Sequence, residues 1–228
     1  MFQEKKIVSF VRRKGRKLSK VKLDLLDNIL PAIEINSLKQ NEILTKIKAD
    51  KYHKINLEIG YGSGEHLIKQ SQLYKEELFL GCEPFLNGTV KLLANIKEQE
   101  IKNIYIHQND ALALLTVLPD EFLSKIFILF PDPWPKTRHH KRRIIQERNL
   151  DCFYQKLKMS GLLRIATDHS DYASWIIAKM MKQKKFYWQI NNIKDWHKEP
   201  QDWIKTKYQK KALAGRNYYF FDFIKISA

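Results

Sequence analysis

Two cysteines in 228 residues, Cys82 and Cys152, are too few for a disulfide framework or a cysteine-built metal cluster. No apolar run approaches the roughly 18 residues that a membrane-spanning helix needs. The opening M-F-Q-E-K-K-I-V also lacks the apolar core of a secretory signal. The expectation is therefore a reduced, cytoplasmic chain with no membrane span. Internal repeats and low-complexity tracts are absent too. Acids are scarce, 25 Asp and Glu against 41 Lys and Arg, giving a formal charge of +16. Such a surplus costs self-repulsion unless a polyanion meets it. Nucleic acid is the first candidate. An anionic membrane surface fits less well, because the basic residues do not lie along one long amphipathic helix.

Apolar residues make up 44% of the chain, enough to core one α/β domain of this length. Short apolar runs at 55–59, 78–82, 104–107, 126–130 and 162–166 read as strands. The amphipathic stretches at 66–73, 86–97 and 143–157 read as helices. Strand–helix alternation predicts a parallel sheet covered on both faces. Residues 186–190 and 218–226 are aromatic-rich strand candidates without a helical crossover between them, which predicts a terminal antiparallel pair. An insertion at about 191–216 separates them, and its tryptophans, Trp196 and Trp203, read as packing residues. The predicted organisation is a basic N-terminal arm over 1–30, containing S-F-V-R-R-K-G-R-K-L-S-K-V-K, and a single domain over 31–228. The arm is either a charged tail or a segment that orders on RNA.

The first strand runs into N-L-E-I-G-Y-G-S-G-E. Gly60, Gly62 and Gly64 allow a tight turn and close approach of a ligand at a helix start. The spacing is G-x-G-x-G, not the G-x-G-x-x-G of pyrophosphate binders. Glu58 just before it would repel a diphosphate but suits the cationic, phosphate-free S-adenosylmethionine. Glu83 closes the second strand, where an acid can take ribose hydroxyls. Asp110 follows the third, placed to meet an adenine. Three acids at three successive strand ends favour a methyltransferase over a dehydrogenase.

The fourth apolar run ends in F-P-D-P-W-P-K-T-R-H-H-K-R-R. In an open sheet this loop lies beside the first strand, at the crevice where strand order reverses, which brings Asp132 near the methyl donor. Amino-methyltransferases carry an Asp/Asn-Pro-Pro-aromatic loop here, and Asp-Pro-Trp-Pro favours a different target atom. Trp134 either stacks on an extruded base or walls the loop. Lys136, Arg138, Lys141, Arg142 and Arg143 form the densest basic patch, the footprint of a phosphate backbone. His139 and His140 do not read as zinc ligands, since neighbours on a helix point about 100° apart.

The F-P-D-P-W-P-K-T-R-H-H-K-R-R segment resembles the signature of the tRNA (guanine-N7-)-methyltransferase family, whose bacterial members act alone. The resemblance extends to S-F-V-R-R-K-G-R, L-E-I-G-Y-G-S-G, G-C-E-P-F, A-T-D-H-S-D-Y-A and T-K-Y-Q, so it covers nearly the whole chain. It implies a Rossmann-like class I S-adenosylmethionine-dependent methyltransferase, with a mostly parallel seven-stranded sheet and a terminal antiparallel hairpin. The implied reaction forms N7-methylguanosine in the variable loop of tRNA, at position 46. Glu58, Glu83, Asp110 and Asp132 would contact the methyl donor. Lys136, Asp168 and the run Thr206, Lys207, Tyr208, Gln209 would contact the substrate. Arg138, His139, His140, Lys141, Arg142 and Arg143 would touch RNA. The family's last motif ends in Glu, whereas Gln209 here keeps hydrogen-bonding capacity without charge. No metal and no obligatory protein subunit are implied, and the chain would be a monomer or homodimer.

The chemistry needs no strong base. Guanine N7 carries an in-plane lone pair and no proton, so alignment can supply much of the catalysis, roughly 7–11 kcal/mol in favourable cases. The purine becomes positive, which a nearby carboxylate favours. Asp132 is assigned nearest the chemistry and Asp168 to orienting the guanine. The rival readings are a methyltransferase acting on ribosomal RNA or protein, and a non-catalytic RNA-binding module on the same fold.

Overall fold

The computed structural model describes residues 15, 17–36, 38–205, 209 and 217–227. Seven strands form one sheet: β1 (Ile55–Ile59), β2 (Leu78–Cys82), β3 (Ile104–His107), β4 (Leu123–Leu129), β5 (Leu157–Thr167), β6 (Phe186–Trp188) and β7 (Tyr219–Lys225). Their spatial order is β3-β2-β1-β4-β5-β7-β6. The first five are parallel, and β7 runs antiparallel to both β5 and β6. The helices are α1 (Lys20–Asn28), α2 (Leu30–Ile33), α3 (Gln40–Lys46), α4 (Glu65–Leu73), α5 (Leu86–Glu98), α6 (Ala111–Val117), α7 (Glu147–Lys156) and α8 (Ser170–Met180).

The period of two along each strand sorts the core into faces. Leu57, Leu80, Ile126, Ile128, Leu163, Ile165, Phe221 and Phe223 join residues of α3, α6, α7 and α8 in one cluster. Phe79, Ile104 and Ile106 pack with Leu67 and Ile68 of α4 and with Val90, Leu93 and Ile96 of α5. Leu25 and Leu30 belong to that second cluster, so α1, which lies within the span predicted as an arm, and α2, which starts at its last residue, are packed helices. The edge of β3 is covered, because Ile35 N–H donates to Ile106 O at 2.9 Å.

Strands β1, β2 and β3 have the predicted bounds. β4 starts three residues earlier and stops at Leu129, because Phe130 takes a left-handed φ of 52°. β5 is longer, extending back to Leu157. The helix predicted over 143–157 is corrected: Thr137–Arg142 is a short 3-10 helix, Arg143 is extended, and α7 begins only at Glu147. From β1 the chain winds one way through β2 and β3 and the other way through β4 and β5. This opens a crevice at the strands' C-terminal ends between β1 and β4.

Candidate active site

A cleft of about 710 Å³ occupies that crevice, within the roughly 300–1,000 Å³ common to small-molecule sites. One loop after each of four strands builds it. Ile59 ends β1 and Gly60 follows it, Glu83 and Pro84 follow β2, Asn109 and Asp110 follow β3, and Phe130 to Asp132 with Trp134 follow β4.

The turn after β1 bends through Gly60, Gly62 and Gly64 with φ of 78°, 56° and 80°. A Cβ at Gly60 or Gly62 would meet nothing within 4 Å, so the backbone there faces open space. Behind the turn α5 presses close: a Cβ at Gly88 would stand 2.1 Å from Gly62 O. Glu83 holds the turn in place. Its Oε2 accepts from Gly62 N–H at 2.9 Å, and its Oε1 accepts from Phe85 N–H at 2.9 Å. Each carboxylate oxygen has a second lone pair, so both keep acceptor capacity. Burial raises the Glu83 pKa above the ordinary value, Asp132 and Glu58 add to the rise, and the two backbone N–H bonds oppose it.

Asp110 caps α6, its Oδ1 accepting from Leu112 N–H at 2.9 Å, and also borders the cleft. Glu58 lies deeper. It is 4% exposed, its Oε2 is 2.8 Å from His66 Nδ1, and it is not among the cleft-lining residues. The His66 ring meets Phe127 edge-on at 4.9 Å and lies 6.2 Å from Trp203.

The Asp132 loop is bounded by two left-handed residues, Phe130 and Trp134, the latter with φ of 44°. Such non-glycine backbone costs of order 1–3 kcal/mol each and persists where surroundings impose it, often at functional sites. Phe130 N–H donates to Ala166 O at 2.8 Å, and its ring packs against Trp203 and Tyr218. Asp132 itself is exposed. The Arg142 guanidinium lies over the Trp134 ring at 4.9 Å, with His139 edge-on at 5.8 Å. Trp134 thus walls the cleft with a cation stacked on it.

Lys136, Arg138 and Lys141 are exposed, while His139, His140 and Arg142 are partly buried. Arg143 does not belong with them. Predicted among the residues that touch RNA, it is 1% exposed and borders the cleft from within the fold. Asp168, partly buried, follows β5 outside the cleft lining. Gln209 is buried, and its Oε1 accepts from Trp203 Nε1 at 2.9 Å. Thr206, Lys207 and Tyr208 lie outside the described residues.

Sequence reasoning missed Asn109, Gln146, Arg148 and Asn149, which line the same cleft. Gln146 precedes α7 as its N-cap, Arg148 and Asn149 lie in its first turn, and no spacing marks them. It also missed Arg164 on β5, which pairs with Asp222 of β7 through two bonds of 2.7 Å and with Asp202 at 2.7 Å. That buried fork ties the insertion to the sheet. Among the described residues no group of three or more His, Cys, Asp and Glu is placed to hold a metal ion. No helix there is long and apolar enough to cross a membrane.

Sheet order, glycine turn and acid-lined cleft together define a class I methyltransferase fold. A model described as "Putative methyltransferase" matches residues 52–221. A 30S ribosomal methyltransferase from an uncultured bacterium superposes with a TM-score of 0.54 at 17% identity, over 83% of this chain and 95% of that one, a likeness of fold alone. The tRNA (guanine-N(7)-)-methyltransferase of Zymomonas mobilis subsp. mobilis is 37% identical over 216 residues, 94% of this chain and 93% of that protein. The one from Rhizobium johnstonii is 39% identical over 219 residues, 95% and 94% of the two chains. The chain belongs to the tRNA (guanine-N(7)-)-methyltransferase family.

Proposed function

We propose that this protein transfers a methyl group from S-adenosylmethionine to N7 of guanosine in tRNA, at position 46 of the variable loop. The observation that carries this reading is one continuous cleft. It joins the glycine turn and its acids to the Asp132 loop, and basic residues of the following 3-10 helix border it. The residues present fit S-adenosylmethionine: open space over Gly60 and Gly62, buried acceptors on Glu83, and acids where a diphosphate would need cations.

S-adenosylmethionine, when bound, supplies a methyl group on a cationic sulfonium. Glu83 and Asp110 take the adenosine part, and the backbone of Gly60 and Gly62 borders the remainder. Glu58, behind the turn, contributes negative potential. Asp132 stands closest to the reacting atoms, where its carboxylate favours the charge that develops on the purine. No base is required, so the residues act by orientation and by excluding water. Asp168 orients the guanine, assisted by Lys136 and by the segment Thr206, Lys207, Tyr208 and Gln209. Arg138, His139, His140, Lys141 and Arg142 hold the RNA, and the N-terminal arm adds to that grip. The protein acts in the cytoplasm without an obligatory second subunit, as monomer or homodimer.

Methyl transfer from labelled S-adenosylmethionine to unmodified tRNA, followed by borohydride–aniline cleavage, tests this. Cleavage at the variable-loop guanosine is the expected result. Label without cleavage there discards the target, and tRNA binding without label discards the enzyme in favour of an RNA-binding module.

A further inference from the structure

We propose that Arg143 is a positioning residue that fastens the Asp132 loop to the Asp168 loop, and is not a contact to tRNA phosphate. Arg143 closes a run of basic residues, yet it is among the largest fully buried side chains of the protein. A buried guanidinium is costly unless its charge is matched and its N–H groups are used. Here its Nε donates to Pro133 O at 2.8 Å, and its Nη2 donates to the Asp171 carboxylate. The guanidinium carbon lies 5.0 Å from the ring centroids of both Tyr172 and Trp175. Those two rings are themselves fixed. Trp175 Nε1 donates to Ile145 O at 2.7 Å, and Tyr172 Oη accepts from Ile145 N–H.

The two anchor points matter more than the burial. Pro133 adjoins Asp132, and Asp171 sits in the first turn of α8, three residues after Asp168. One planar fork therefore ties the loop after β4, which carries Asp132, to the first turn of α8, which closes the loop that carries Asp168. The β4 loop has left-handed backbone at Phe130 and Trp134 and needs such a fastening. The second terminal nitrogen, Nη1, is buried without a hydrogen-bond partner. A core selected for stability alone would place an apolar side chain here. Lysine, with one compact ammonium, cannot reproduce the fork between Pro133 O and Asp171.

This assignment rests on Asp132 standing nearest the methyl group. The test compares Arg143→Lys, Asp171→Ala and Arg142→Ala with the wild-type chain, measuring kcat, KM for tRNA, and tRNA affinity against salt. Arg143→Lys is expected to lower kcat about 100-fold, the size of effect that a misplacement of about 1 Å produces. Its tRNA affinity and salt slope should match wild type. Asp171→Ala should give the same pattern, and the double variant no more than the larger single loss. Arg142→Ala should instead weaken tRNA binding and reduce the salt slope by about one. Unchanged kcat in Arg143→Lys, or a slope reduced by one, overturns the proposal. If Arg143→Lys fails to fold, unchanged kcat in Asp171→Ala overturns it instead. The slope comparison does not need turnover, so an inactive wild-type chain would refute the proposed function while the salt data still decide the role of Arg143.

Discussion

Replacing Gly88 by alanine perturbs the cofactor half of the site from outside it. The added Cβ would stand 2.1 Å from Gly62 O, whereas ordinary contact begins near 3.4 Å, so helix and turn must separate by about 1.3 Å. The obstructing atom is backbone, which cannot swing away as a side-chain tip would. α5 is held by Thr89, Leu92 and Leu93, all fully buried, so the turn is the partner that gives, toward the open space over Gly60 and Gly62. That movement breaks or stretches the 2.9 Å bond from Gly62 N–H to Glu83. A hydrogen bond to a charged group contributes about 1.5–3 kcal/mol, and 1.4 kcal/mol is tenfold in affinity. Gly88→Ala should therefore bind S-adenosylhomocysteine roughly 10–100-fold more weakly in a calorimetric titration. Overpacking of about 1–3 kcal/mol should also lower Tm by about 2–12 °C at this chain length. A variant that binds within twofold of wild type and melts at the same temperature would refute the proposed contact between α5 and the turn.

Asp132→Ala should abolish turnover while leaving tRNA affinity within about threefold, and near-normal turnover would remove Asp132 from the reaction. Burial raises the Glu83 pKa, so its carboxylate protonates as pH falls through a window above the ordinary glutamate value of about 4.3. The folded chain holds that proton more tightly than the unfolded one, so the Glu83 contribution to stability grows on acidification and is lost as pH rises through the folded pKa. S-adenosylhomocysteine affinity runs the other way and weakens as the acceptor is lost. Affinity that stays flat down to about pH 4.3 would contradict this. With 6–10 phosphate contacts, tRNA affinity should fall about 10³–10⁵-fold between 50 and 200 mM salt. Alanine at Lys136, Arg138 or Lys141 should each reduce the slope by about one. A response insensitive to salt would remove the electrostatic grip.

The parallel strands were legible because strands buried on both faces read as short, unbroken apolar runs. β5 reads short because Ser160 and Gly161 look like a break; the ladder is irregular there, with Ser160 at a φ of 61°, and pairs again with β4 at Leu157. The glycine turn and its acids were legible because their spacing is local. Arg143 was not: in sequence it is one cation in a row, and Asp171, Tyr172 and Trp175, which draw it inward, lie some thirty residues further on. The Glu58–His66 pair was hidden for a related reason, since a turn and the start of a helix separate its partners. The helix predicted from residue 143 begins four residues later at Glu147, and the 3-10 helix over Thr137–Arg142 has no apolar periodicity to mark it.

The position of β7 also bears on how the protein emerges from the ribosome. Although late in the chain, it is an inner strand, with β5 on one side and β6 on the other. Until Tyr219–Lys225 is made, β5 has one unsatisfied edge and β6 has no neighbour to pair with. Synthesis at about 5–20 residues per second leaves that edge open for roughly 3–10 s. During this interval the nascent sheet is a five-stranded template for any passing strand. Closure depends on a single aromatic segment, Tyr-Phe-Phe-Asp-Phe, sliding between two waiting elements.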